Sequence, residues 1–150
     1  LKGIDERNYD ANTGFRFTRT KEDSQLWFDV VADIVDNTHN GWLIEGYYSK
    51  VMPYRNWDFY LGTGINFYSS EVTNYYYGIE AHEATENRIQ YKPSVGYKLL
   101  IETVAQYPLS ESWLFNVGVS VSHHSPSIAK SPITRGQHLV QGMIILRYVF

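Results

Sequence analysis

The 150-residue sequence contains no cysteine, which excludes disulfide frameworks and thiolate metal sites. It has no run of about 18 apolar residues, so no membrane-spanning helix can form. Charge is scarce: Asp, Glu, Lys and Arg make up 19% of the chain, against about 25% in an ordinary soluble domain. There is no basic block and the net charge is −3, so a nucleic-acid partner has no electrostatic footprint here. No signal peptide precedes Leu1, and the chain reads as a mature or truncated piece of a secreted protein. What is abundant is aromatic: 16% of residues, with thirteen Tyr. The mean hydropathy of −0.35 would suit a soluble protein. A transmembrane β-barrel gives the same value, because only alternate residues face lipid.

Period-two alternation is the main signal, and it predicts seven extended segments with little helix. They run roughly 10–20, 25–35, 42–52, 57–69, 94–107, 113–122 and 138–150. The second sets Leu26, Phe28, Val30, Ala32 and Ile34 against Trp27, Asp29, Val31 and Asp33, with Val30 expected near mid-span. The sixth sets Trp113, Phe115, Val117, Val119 and Val121 against Asn116, Gly118, Ser120 and Ser122. Such lengths fit the ~9–11 residues that a tilted strand needs to cross a bilayer; soluble strands average ~5–6. Short polar turns at 21–24, 53–56 and 108–112 alternate with longer connections at 36–41, 70–93 and 123–137. The stretch Glu80–Asn87 is the expected site of a short helix. A turn at Lys21–Ser24 sets Arg16 opposite Asp29, and a turn at Pro53–Asn56 sets Met52 opposite Trp57. Lys50 then snorkels near an interface.

The chain ends Ile144-Ile145-Leu146-Arg147-Tyr148-Val149-Phe150, with Tyr two residues before a terminal Phe. That ending resembles the closing strand of a bacterial outer-membrane β-barrel. The expected fold is therefore all-β: an antiparallel transmembrane barrel of outer-membrane type, with residues 1–150 as one domain forming its C-terminal portion. Single-chain bacterial barrels have an even strand number, so the count of seven implies N-terminal strands upstream of Leu1. Barrel turns are short on the periplasmic side and long outside. Trp57 and Trp113 follow short turns and, with Tyr107, Tyr148 and Phe150, are expected at a membrane–water boundary. Outer-membrane lipid is the implied neighbour of the apolar face.

Tyr76-Tyr77-Gly78-Ile79-Glu80-Ala81-His82-Glu83-Ala84 resembles a loop of the MipA/OmpV family, outer-membrane proteins named for the MltA-interacting protein. Further points of likeness are Tyr91, Pro93, Gly96, Tyr107-Pro108-Leu109-Ser110 with Trp113, Ser131-Pro132-Ile133, and Arg147-Tyr148 with Phe150. The resemblance is good over 57–150 and loose over 1–56. His123-His124-Ser125-Pro126 departs from it, standing where the family often has small residues. The family implies an outer-membrane barrel acting as a scaffold, with a periplasmic lytic transglycosylase and a penicillin-binding protein as partners. Adhesion, osmotic response and drug uptake are implied for other members. It implies no catalytic residues and no cofactor.

Three kinds of candidate chemistry deserve weighing. The first is His123 and Ser125, which match the His-x-Ser spacing of some outer-membrane lipid A deacylases. A general base needs an orienting acid, and no Asp or Glu follows Glu111, so a polar strand end is the preferred reading. Metal binding by His123, His124 and His138 is conceivable on spacing. However, neighbours in a strand point to opposite faces, so no metal site is expected. The third is a set of lumen-facing charges: Arg16, Asp29, Asp33, Glu45, Asp58, Lys98, Glu102 and Arg147. They either line a channel or pair across it, since an unpaired buried charge is costly; Lys98 and Glu102 are four apart and could bridge. Tyr75, Tyr76 and Tyr77 with Trp42 read as an interfacial girdle in preference to an adhesive patch. Scaffold, porin-like or ligand-binding barrel, and lipid-modifying enzyme is the order of the functional readings.

Overall fold

The computed structural model describes residues 3–35 and 38–150. Residues 36 and 37, the start of the first longer connection, lie outside the described residues. The elements are β1 (Asn12–Thr20), β2 (Ser24–Asp33), β3 (Trp42–Tyr54), β4 (Trp57–Tyr68), α1 (Ser70–Tyr77), β5 (Gly96–Pro108), β6 (Trp113–His124), α2 (Pro126–Ala129) and β7 (His138–Tyr148). The strands form one seven-stranded antiparallel meander in sequence order, and the sheet is open between β1 and β7. Strand lengths run from 9 to 13 residues, the length that a tilted bilayer crossing requires.

Burial in this sheet is inverted relative to a water-soluble fold. On the polar face, Asp29 is 5%, Asn116 3% and Ser122 6% exposed. On the apolar face, Phe28 is 44%, Val30 40% and Ile101 61% exposed. Leaving such side chains in water forgoes roughly 1.5–3 kcal/mol each. The polar side is thus the crowded side. Gly62 illustrates why: a Cβ there would lie 2.2 Å from the Tyr47 hydroxyl, whose ring crosses that position to reach Glu102.

Most of the expected register holds. Arg16 stands opposite Asp29, and Phe15 and Phe17 stand opposite Val30 and Phe28. Lys50 reaches Asp23 of the first short turn at 3.2 Å. The β3–β4 hairpin differs from expectation: Met52 pairs with Phe59, and Tyr54 pairs with Trp57. Pro53 stays within β3 and the turn shrinks to Arg55–Asn56, with Arg55 in the left-handed region at φ 57°. The shift is two residues, so every side chain keeps its face. The expected helix at 80–87 is only a three-residue 3-10 turn, Ala81–Glu83. The helix forms at Ser70–Tyr77 instead, where the Ser69 hydroxyl accepts the Val72 N–H at 3.4 Å and supplies the cap that a short helix needs.

Candidate functional site: the polar face and its cap

Cross-strand register gathers the polar face into rows. One row runs Arg16, Asp29, Glu45, Asn66, Lys98, His124 across β1 to β6. Its charges on β1 to β3 are partnered along the row. Arg16 donates from Nε to Asp29 at 2.7 Å and pairs with it again through Nη2. The Asn66 amide donates to Glu45. The Arg16 guanidinium also lies 5.1 Å over the Trp27 ring, which stacks at 5.7 Å on Tyr47. Tyr47 in turn donates to Glu102. Glu102, Val104, Gly118, Ser120, Gln141 and Met143 line a cleft of about 220 Å³ on this face.

Other residues of the expected charge set stand apart. Asp58 lies opposite Pro53 and Gln106, and Arg147 opposite Leu114, both near the short turns. Asp33 ends β2 and turns into the following connection, where it accepts the N–H groups of Val35 at 3.1 Å and Asn40 at 3.0 Å. The expected Lys98–Glu102 bridge is absent among the described ion pairs. Four residues of strand span about 13 Å, too far for one contact.

Of the aromatics expected at a boundary, Trp57 begins β4 and Trp113 begins β6. Trp57 lies 4.8 Å from Tyr107, Trp113 5.0 Å from Tyr148, and Tyr148 6.3 Å from Phe150. These rings cluster at the short-turn end of the apolar face. Tyr75, Tyr76 and Tyr77 do not belong to any sheet face; all three lie on α1. Tyr75 and Tyr76 both pack 6.0 Å from His39. They lie within the long connection at 70–93, on the helix that forms there. Trp42 remains on the apolar face as the first residue of β3.

At the opposite end the long connections fold into a compact cap. Among the described residues, the buried apolar side chains are Val72, Ile79 and Ile128, all in these connections. Thr73 donates to the Ser69 carbonyl at 3.0 Å and the Ser94 carbonyl at 2.7 Å. Tyr91 donates to the Ser127 carbonyl at 2.8 Å, and Ser131 to the Tyr77 carbonyl at 2.6 Å. The loop around Gly78 and the Ser131-Pro132-Ile133 segment, far apart in sequence, thus meet. Gly96 begins β5 on its polar face, and a Cβ there would lie 2.7 Å from Thr73 and 2.8 Å from Ile128. The missing side chain lets α1 and α2 settle against the polar face at its rim.

Residues 3–11 strap across this cap. The Asp5 N–H donates to Glu83 at 2.9 Å, Arg7 pairs with Glu83 at 3.3 Å, and His82 meets Asp5 at 2.8 Å. Asp10 meets His39 at 3.1 Å. Hydrogen bonding and charge from Asp5 raise the His82 imidazole above its ordinary value. Burial works against ionisation of Glu83, but the N–H groups of Glu80 and Asp5 and the charge of Arg7 hold it below the usual range. Burial, then the Asp10 charge, pushes the Tyr76 phenol up to about 12. Asp5, His82 and Glu83 bring ligand-type atoms within 4.8 Å of one another. The Glu83 oxygens already serve two N–H groups and Arg7, so this cluster works as a clasp.

His123 and His124 diverge as strand geometry demands. His124 stands beside Lys98 in the polar row, and His123 shares the outward face with Val121. Ser125 is buried, accepts the Tyr97 N–H at 3.2 Å and precedes α2. Its oxygen ties the start of β5 to the residue before α2, and no acid after Glu111 is present to orient His123. Sequence reasoning missed the strap and the cap's inner contacts; the usable signals were Ser69 with Glu71 as a helix start and Pro126 at the first turn of α2.

The family model described as MltA-interacting protein MipA matches residues 2–150. The chain is 27% identical over 139 residues to outer membrane protein OmpV of Vibrio cholerae serotype O1, covering 89% of this chain and 51% of that protein. It is 27% identical to outer membrane protein Omp26La of Vibrio anguillarum, with the same coverage of 89% and 51%. It is 22% identical over 134 residues to the putative outer membrane protein YiaT of Escherichia coli K12, covering 89% and 54%. The chain therefore spans about half the length of these curated relatives. No solved structure matches it. The relatives are named as outer-membrane proteins and not as enzymes, and the bacterial outer membrane is where a sheet with an apolar outside and a polar inside has its neighbours. A match over nearly the whole length, on a sheet of bilayer-crossing strands, makes this chain a member of the MipA/OmpV family of outer-membrane proteins.

Proposed function

We propose that the seven strands are one arc, the C-terminal portion, of a closed outer-membrane barrel that works by binding periplasmic proteins and not by conducting solutes. The free edges of β1 and β7 support further strands, because hydrocarbon does not tolerate unpaired backbone groups. The short turns then face the periplasm and the cap faces outward. The eight charges named from sequence face, or border, the lumen, and the Trp57, Trp113, Tyr107, Tyr148 and Phe150 cluster marks the periplasmic boundary.

The observation that carries the reading is the seating of α1 and α2 on the polar face at Gly96. A mouth folded inward in this way obstructs a channel. The ion pair Arg16–Asp29 and the hydrogen bond from Tyr47 to Glu102 argue the same way. The family description, MltA-interacting protein, supports one partner class, a peptidoglycan-remodelling lytic transglycosylase; a penicillin-binding synthase is proposed beside it on the family resemblance alone. No catalytic role is assigned, since no acid after Glu111 is present to orient His123. The porin-like alternative draws on the 220 Å³ cleft beside Glu102.

Two measurements on the full-length protein separate these readings. Immobilised in detergent, it should retain a lytic transglycosylase from periplasmic extract, and in planar bilayers it should give no discrete conductance steps. Absence of retention together with regular conductance steps would replace the scaffold by the pore.

A further inference from the structure

The outward-facing histidines remain unexplained by a scaffold role. His123 is the penultimate residue of β6, His138 is the first of β7, and the two are direct cross-strand partners. Both side chains stand on the face that carries Val121 and Val140, at the cap end of the sheet, where the apolar surface gives way to the connections. Their ring centroids are 4.8 Å apart with planes inclined at 58°.

That separation suits a shared ion. With metal–nitrogen bonds of about 2.0–2.1 Å and an imidazole radius of about 1.2 Å, two rings on one tetrahedral ion have centroids about 5 Å apart. The neighbourhood adds to the pair. The Tyr97 ring lies 6.3 Å from His123 with planes 25° apart. The Gln137 side-chain amide lies 3.3 Å from His123 Nε2. An amide can present either its oxygen or its nitrogen there, so it offers a third, oxygen donor.

We propose that His123 and His138 form a divalent transition-metal site on the outer rim of the sheet, with Gln137 as an accessory ligand. The donor set selects the metal class. Neutral imidazole nitrogens suit Cu(II), Ni(II) and Zn(II), whereas Ca²⁺ and Mg²⁺ require oxygen-rich, usually carboxylate, cages. No acidic residue follows Glu111, so β6, β7 and their connection contribute no carboxylate near the pair. His124, on the opposite face, is excluded from the site by the strand's alternation.

The test uses full-length protein in detergent, purified without a histidine tag, with Cu(II) itself as the probe. Electron paramagnetic resonance and titration should show one bound Cu(II) with hyperfine coupling to two imidazole nitrogens. His138→Gln, at an exposed position that does not threaten folding, should weaken binding at least tenfold and leave coupling to one nitrogen; His123→Asn should do the same. His124→Gln and His82→Gln should leave affinity and spectrum unchanged. The proposal is overturned if the protein binds no Cu(II) at about 100 µM. It is equally overturned if His138→Gln leaves the spectrum and affinity as they were, or if His124→Gln or His82→Gln abolishes the signal.

Discussion

Ile101 and Ser120 lie one residue apart in register, on adjacent strands and on opposite faces: Ile101 pairs with Val121, and Ser120 with Glu102. Ile101 sits near the middle of β5. Val30, expected from sequence at mid-span, is three residues from the cap end of β2, and so lies shallower. A charge at the bilayer midplane costs about 2–4 kcal/mol, falling to about 0–1 near the interfaces. Ile101→Arg should therefore lower folding stability in lipid vesicles by about 2–4 kcal/mol. Val30→Arg should cost less, and Ser120→Arg, entering a polar cleft beside Glu102, less again. Urea titration of the three variants in vesicles gives the order, and equal losses would count against the assigned faces. Side-chain facing was legible at this scale because alternation is a strictly local property of the chain. The partners of Tyr47 were not, since reaching Glu102 depends on Gly62 of a third strand leaving the space empty.

Among the elements, all seven strands were readable from period-two patterning, and the faces survived even where the β3–β4 register did not. Pro53 misled: it reads as a turn former, yet β3 continues through it to Tyr54. The helices were harder to read. Ser70–Tyr77 is rich in Tyr and polar residues with no clear apolar stripe, and its stability comes from the Ser69 cap and from Thr73 bonding across to Ser94. The strap of residues 3–11 left no periodic trace either, because non-periodic polar contacts, among them those to Glu83, His82 and His39, hold it. It carries a pH prediction. Asp5 raises the His82 imidazole above its ordinary 6.5. The raised group adds stability that is complete below the unfolded value and is lost as pH rises through the folded one. Amide exchange at Asp5, corrected for intrinsic rate, should accelerate as pH rises above 6.5. His82→Gln should abolish that dependence, whereas protection that is flat or rising with pH in the parent protein would contradict the clasp.

For the whole molecule, the decisive feature is where the apolar side chains end up. The small buried apolar set lies in the cap, while the sheet turns Phe28, Leu99, Ile101 and Val119 outward. In water such a sheet would forgo the main driving force of folding; in a bilayer, hydrocarbon covers that face and the polar side turns to the lumen. A spin-label scan through residues 116–121 of β6 in lipid vesicles, comparing collisions with oxygen and with a water-soluble nickel chelate, tests this most directly. Labels at 117, 119 and 121 should collide with oxygen, and labels at 116, 118 and 120 should be shielded from it. Uniform accessibility along the strand, or the opposite alternation, would contradict the account.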